Sequence, residues 1–142
     1  ERTKRGEGEE LVLRYFAYSD KYQDFVHSVE DFLDDYMKDK HENGFDRENM
    51  VAEFENMLNF VETYFPYGFK KSANSNSVSR VRFDAIAVGV TLALRENAAI
   101  TPVNVVDWLE SAEFKQHTTS GSANNRSKVT GRIDYVKNML LN

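Results

Sequence analysis

The chain has 142 residues, with 23 Asp/Glu against 18 Lys/Arg, no Cys and 13% aromatic residues. That length suits one domain with an ordinary buried core. Absent cysteine excludes disulfides and thiolate metal sites and fits a reducing cytoplasm, while a formal charge of -5 argues against a generic nucleic-acid coat.

The start, Glu1 to Glu10, is charged throughout, with no signal-peptide character and no initiating Met. We therefore expect a cytoplasmic fragment of a longer protein, forming a single helical domain over residues 1–142. Glu9 to Tyr18 opens a first helix, with Leu11, Val12, Tyr15 and Phe16 at helical spacing and acids near its N-terminus. Tyr22 and Phe25 fall in a connection and are expected to cover the core from outside.

Ser28 can cap a second helix whose stripe is Phe32, Leu33, Tyr36 and Met37. His41 to Gly44 is a break suited to left-handed cap geometry. Asp46 then caps the clearest helix in the chain. Its apolar positions Met50, Val51, Phe54, Met57, Leu58, Val61, Tyr64 and Phe65 recur at three- and four-residue steps. A methionine-bearing stripe suits a promiscuous binding face, but core is the plainer account. Pro66 stops the helix, and Ser72 to Ser77 has nothing to bury and predicts a polar loop.

Ser79 to Leu94 follows, and the other elements are expected to pack around it. From Ala85 onward it carries no charge, and its one polar side chain is Thr91. Ile86, Val88, Val90, Leu92 and Leu94 alternate with small residues as in a strand, whereas its alanines and leucines favour a helix. Strands usually run about 5–6 residues, and a bilayer span needs about 20 apolar ones. Length therefore predicts a buried helix, capped by Ser79, with Gly89 admitting a neighbouring backbone. No membrane partner is expected.

Thr101-Pro102 predicts the start of a short helix by a cap and a first-turn proline, with Val105, Val106, Trp108 and Leu109 as its apolar side. Phe114 then pins a connection. Thr118 to Asn125 is a second polar loop. A last helix runs from about Ser127 to Leu141, burying Val129, Ile133, Val136, Met139, Leu140 and Leu141. The fold class is all-α, with about six helices around the central Ser79–Leu94 helix.

No catalytic constellation emerges. His27, His41 and His117 lie far apart without metal-ligand spacing, and no Walker-type loop or nucleophile elbow is present. Adjacent acids such as Asp34-Asp35 diverge across a helix surface. No enzyme activity, cofactor or metal is therefore expected of this chain.

Charge is unevenly placed: Asp20 to Glu62 holds 13 acids and 4 Lys/Arg, while Lys115 to Asn142 holds 5 Lys/Arg and 1 acid. The plainer account is two solvated helix faces; the functional one is two surfaces of opposite potential. A Ser/Thr/Asn-rich loop followed by a basic helix start offers free amides, hydroxyls and cations to a phosphate. The candidate nucleic-acid contacts are Lys115, Arg126, Lys128, Arg132 and Lys137, the helix residues among them at its start and on its outer face. Arg80 and Arg82 follow the other polar loop, and whether they share that surface is left open by the sequence.

Three stretches together carry a resemblance. They are Arg5…Glu9-Glu10-Leu11-Val12-Leu13-Arg14-Tyr15-Phe16-Ala17, then Phe83-Asp84-Ala85-Ile86-Ala87-Val88-Gly89-Val90, and Lys128-Val129…Arg132-Ile133. Their order and spacing resemble the C-terminal helical region of GmrSD-type restriction proteins, from a large bacterial domain-of-unknown-function family of ParB/sulfiredoxin-like nucleases. The resemblance covers nearly the whole chain. It implies a nucleotide-dependent nuclease, or its regulatory subunit, acting against foreign or modified DNA. The family's chemistry is assigned to an N-terminal domain with an Asp-Gly-Gln-Gln-Arg motif, which this sequence lacks. The chain is thus expected to be a non-catalytic accessory region, with DNA or the missing N-terminal domain as partner. The alternative is a scaffold that packs on that domain or self-associates.

Overall fold

A computed structural model describes residues 4–119 and 125–142. The charged start at Glu1 and the middle of the second polar loop, Ser120 to Asn124, lie outside the described residues. Seven α-helices are present among those described: α1 (Lys4–Lys21), α2 (Val29–Asn43), α3 (Arg47–Tyr64), α4 (Arg80–Glu96), α5 (Val105–Leu109), α6 (Ala112–Thr118) and α7 (Arg126–Leu141). A 3-10 turn occupies Tyr22–Asp24, and no strand occurs among the described residues. No helix among them is long and apolar enough to cross a membrane.

The predicted starts of α2, α3 and α4 follow from their caps. Ser28 Oγ accepts from the Asp31 amide, Asp46 from Asn49 and Ser79 from Arg82, each at 3.2 Å. Each cap satisfies an orphan amide and contributes about 1 kcal/mol. The break after α2 is made by Gly44, which has φ of +79° and donates its amide to Lys40 O.

Helix α4 is the centre. Every residue from Arg82 to Thr91 is buried, so this helix has no solvent face over that length. α7 packs along it most extensively, and α1, α3 and α6 also lie against it. Gly89 sets the approach of α7: a Cβ there would stand 2.6 Å from Val136 Cβ and 3.1 Å from Ile133 O. Thr91 is matched by Tyr15, the two hydroxyl oxygens lying 2.8 Å apart.

Several local expectations change: α1 begins at Lys4, before Glu9, and Val51 and Leu58 of the expected core stripe are exposed. Tyr22 and Phe25 lie within the core instead of over it: Phe25 is fully buried, and the Tyr22 hydroxyl donates to Asp134 Oδ1 at 2.6 Å. Thr101-Pro102 does not open a helix, because α5 begins at Val105 behind Asn104, whose side chain makes no capping bond. The stretch around Phe114, expected as a connection, is helix α6. Ser111 caps it by accepting from the Phe114 amide at 3.1 Å, and burial of Phe114 anchors it. A single capping serine in a loop-like stretch is a weak sequence signal for so short a helix.

Candidate phosphate-binding cleft

The first polar loop meets the end of α6 and the first residues of the second loop, Thr118 and Thr119. Lys71, Ser72 and Ser77 from the first loop face Lys115 and Thr119 from the end of α6 across a cleft of about 820 Å³. Arg82, from the first turn of α4, also lines it. This volume is within the range of small-ligand sites, about 300–1,000 Å³. The sequence left the relation between Arg82 and the second loop open; packing of α6 on α4 brings them together.

Arg82 is the unusual member. It is 8% exposed, its Nε donates to Phe69 O at 3.1 Å, and its guanidinium lies over the Phe114 ring at 5.1 Å. Among the described residues it has no acidic partner, and burial lowers its pKa from the ordinary arginine value. Phe114 belongs to an aromatic cluster with Trp108 and Tyr135, with ring centroids 5.6 and 6.1 Å away. Arg82 thus rests on a rigid aromatic floor. The neighbouring arginine takes another direction: Arg80 Nε pairs with Glu10 on α1 at 2.7 Å.

The hydroxyls divide by what they already bond. Ser75, Thr118 and Thr119 donate to the carbonyls of Ser77, Phe114 and Lys115. Ser79 Oγ accepts from the Arg82 amide and retains its proton for donation. Lys71 and Lys115 are exposed, and neither forms an ion pair among the described residues. Glu110 is the acid on the cleft wall. The balance of charge there is positive.

The basic residues expected from the sequence separate into groups. Lys115 lines the cleft. Arg126 and Lys128 are exposed at the start of α7 and do not line it. Arg132 does not lie on the outer face: it is 1% exposed, and its Nε donates to Lys128 O at 3.2 Å. It occupies a position on the α4-facing side of α7, one residue before the buried Ile133. Lys137 is half-buried and held by Glu96 at 2.6 Å, so its charge is already matched. Lys71 and Arg82 complete the cleft. In the sequence the first reads only as part of a loop, and the second carries no signal for burial beyond its place in the apolar α4 run.

A second polar groove, lined by Glu53, Asn56 and Arg95, offers less. Arg95 is taken up there by Glu53, through two contacts of 2.7 Å, and by Ser19 O. Among the described residues no group of three His, Cys, Asp or Glu is placed to hold a metal ion. Comparison with protein-family models, curated proteins and solved structures finds no match to this chain.

Proposed function

We propose that this chain is a non-catalytic helical accessory domain of a bacterial DNA-targeting protein of the restriction or anti-phage type, and that it contacts nucleic-acid backbone. The observation that carries the reading is one cleft that gathers Lys71, Arg82 and Lys115 beside the serines of the first polar loop. Cations beside free hydroxyl donors are the groups that hold phosphate oxygens without reading bases. The GmrSD-type resemblance supplies the biological setting, with nuclease chemistry in the parent's N-terminal domain and DNA in the cytoplasm as target.

Binding of this kind is salt-sensitive and largely indifferent to sequence. In a fluorescence-anisotropy titration with duplex and single-stranded DNA, affinity is expected to fall linearly on a log–log salt plot. Reversing Lys71, Lys115, Arg126 and Lys128 should flatten the duplex slope, by roughly 0.9 for each phosphate that is no longer neutralised. Lys137→Gln should leave it unchanged, since Glu96 already engages that lysine. No binding at low salt, or an unaltered slope in the reversed variant, defeats the reading.

A second reading, a scaffold for the missing N-terminal domain, is favoured by one feature. Leu13, Phe16, Met37, Phe45, Met50 and Val51 line an apolar groove of about 530 Å³ between α1, α2 and α3. Met37, Phe45 and Val51 are 46%, 57% and 40% exposed. Co-purification with the N-terminal domain should be lost on Met37→Glu with Val51→Glu if that groove is the contact; undiminished co-purification argues against it.

A further inference from the structure

The cleft differs from a simple basic surface in having a buried cation in its lining. Lys71 and Lys115 are exposed on its walls, whereas Arg82 is more than nine-tenths buried. A phosphodiester within a strand carries a substituent on both sides, which keeps it at the level of the exposed lysines. A terminal phosphate has one substituent and three free oxygens, so it can enter end-on and reach a recessed guanidinium.

Charge agrees with this. Lys71, Arg82 and Lys115 against Glu110 leave the cleft with two positive charges in excess. A phosphate monoester carries about -1.5 to -2 at neutral pH, and a backbone diester carries one negative charge. Donors match as well. Ser79 keeps its hydroxyl proton. Among the described residues the terminal nitrogens of Arg82 are uncommitted, and the lysine ammoniums have no acid partner. Arginine suits such a position because its planar fork bonds two oxygens of one phosphate.

We infer that the cleft is a phosphomonoester site, with Arg82 as its buried cation and Lys71 and Lys115 as its exposed ones. The group it takes is a terminal phosphate, on a free mononucleotide or at the 5′ end of a nucleic-acid strand. The inference rests on the phosphate-binding reading above but requires a different ligand geometry, so the two can fail separately. Bound phosphate supplies the anion that Arg82 otherwise lacks. Because the folded cleft is what binds, the ligand also raises thermal stability.

The test uses the whole chain and three probes. Inorganic phosphate should raise the melting temperature above that in sodium chloride of equal ionic strength, and Arg82→Gln should abolish the rise. A 5′-phosphorylated oligonucleotide should bind at least about tenfold more tightly than its 5′-hydroxyl counterpart, the value of one charge-assisted contact. That comparison is made at salt high enough to suppress backbone binding. A nucleoside monophosphate that competes fully assigns the site to free nucleotide; competition only by the phosphorylated strand assigns it to a strand end. Should Arg82→Gln fail to fold, the exposed pair Lys71→Gln with Lys115→Gln serves instead and should remove most of the 5′-phosphate preference.

Equal binding of the 5′-phosphate and 5′-hydroxyl strands overturns the inference, even if low-salt DNA binding persists. A phosphate-dependent stabilisation that survives in both variants overturns it too, since the anion then sits elsewhere. A phosphate effect that depends on Arg82, without any low-salt backbone binding, upholds the site and removes the backbone reading.

Discussion

Asp84 is the one buried acid among the described residues, against the buried arginines Arg14, Arg82 and Arg132. Arg14 reaches both of its oxygens, with Nη2 at 2.5 Å and Nε at 3.2 Å. Both pKa values are raised, which favours the neutral form of Asp84 and the charged form of Arg14. Burial pushes the Asp84 carboxyl up, with Arg14 opposing; burial disfavours the Arg14 charge, but Asp84 more than restores it. The forked contact favours the ion pair, because arginine keeps its charge and a neutral Asp84 would strand it. Asp84→Asn should therefore cost about 3–5 kcal/mol in urea unfolding, the usual cost of an uncompensated buried charge. Arg132 is different: its Nη2 is buried without an acceptor among the described residues, and burial disfavours its charge, which Asp84 attracts and Arg14 repels. Arg132→Met should leave stability within about 1 kcal/mol of the parent or raise it, because it removes an unsatisfied donor while the Arg14–Asp84 pair stays. A large loss from Arg132→Met would mean that Asp84 depends on both arginines.

At the scale of elements, the packing of α7 on α4 depends on a missing side chain. Alanine at position 89 would improve helix propensity by about 1 kcal/mol. Its Cβ would meet Val136 Cβ at 2.6 Å, and overpacking of this kind costs about 1–3 kcal/mol. The clash involves a β-branched side chain and nearby backbone, neither able to swing aside, so a net loss of stability is expected for Gly89→Ala. Val136→Gly removes both clashing carbons, Cβ at 2.6 Å and Cγ1 at 2.7 Å, so a double-mutant cycle with Gly89→Ala should show favourable coupling. Gly89 was legible in advance as a place of close approach, since a glycine in the middle of a buried helix has little other use. Which helix approaches was not, because α7 is distant in sequence and several other apolar faces were equally suitable.

Over the whole molecule, burial of tyrosine makes the fold sensitive to alkali. Burial raises Tyr15, Tyr18, Tyr22 and Tyr36 from an ordinary 10.0 to about 12. These residues lie on α1, the 3-10 turn and α2, so they report on the packing of those elements. A group whose folded pKa is raised stabilises the native state fully below its unfolded pKa, and the effect is lost as pH rises through the folded value. Stability should thus hold to about pH 10 and fall towards about pH 12. Tyrosinate absorbance and helical circular dichroism are expected to change together in that window; ionisation of these tyrosines near pH 10 with the helices intact would contradict their burial.

The all-α class, the central helix and the capped starts of α2, α3 and α4 were determined by sequence alone, because caps, breaks and 3.6-residue apolar stripes act over one or two turns. The surface chemistry was not. Arg132 and Lys137 read as exposed cations since charge usually implies solvent, yet one is buried in the core and the other is neutralised by Glu96. Arg82 reads as one more charge at a helix start, yet it is buried in the lining of the cleft. Whether a charge faces water, a partner or a ligand depends on residues far along the chain, and only their packing in three dimensions decided it.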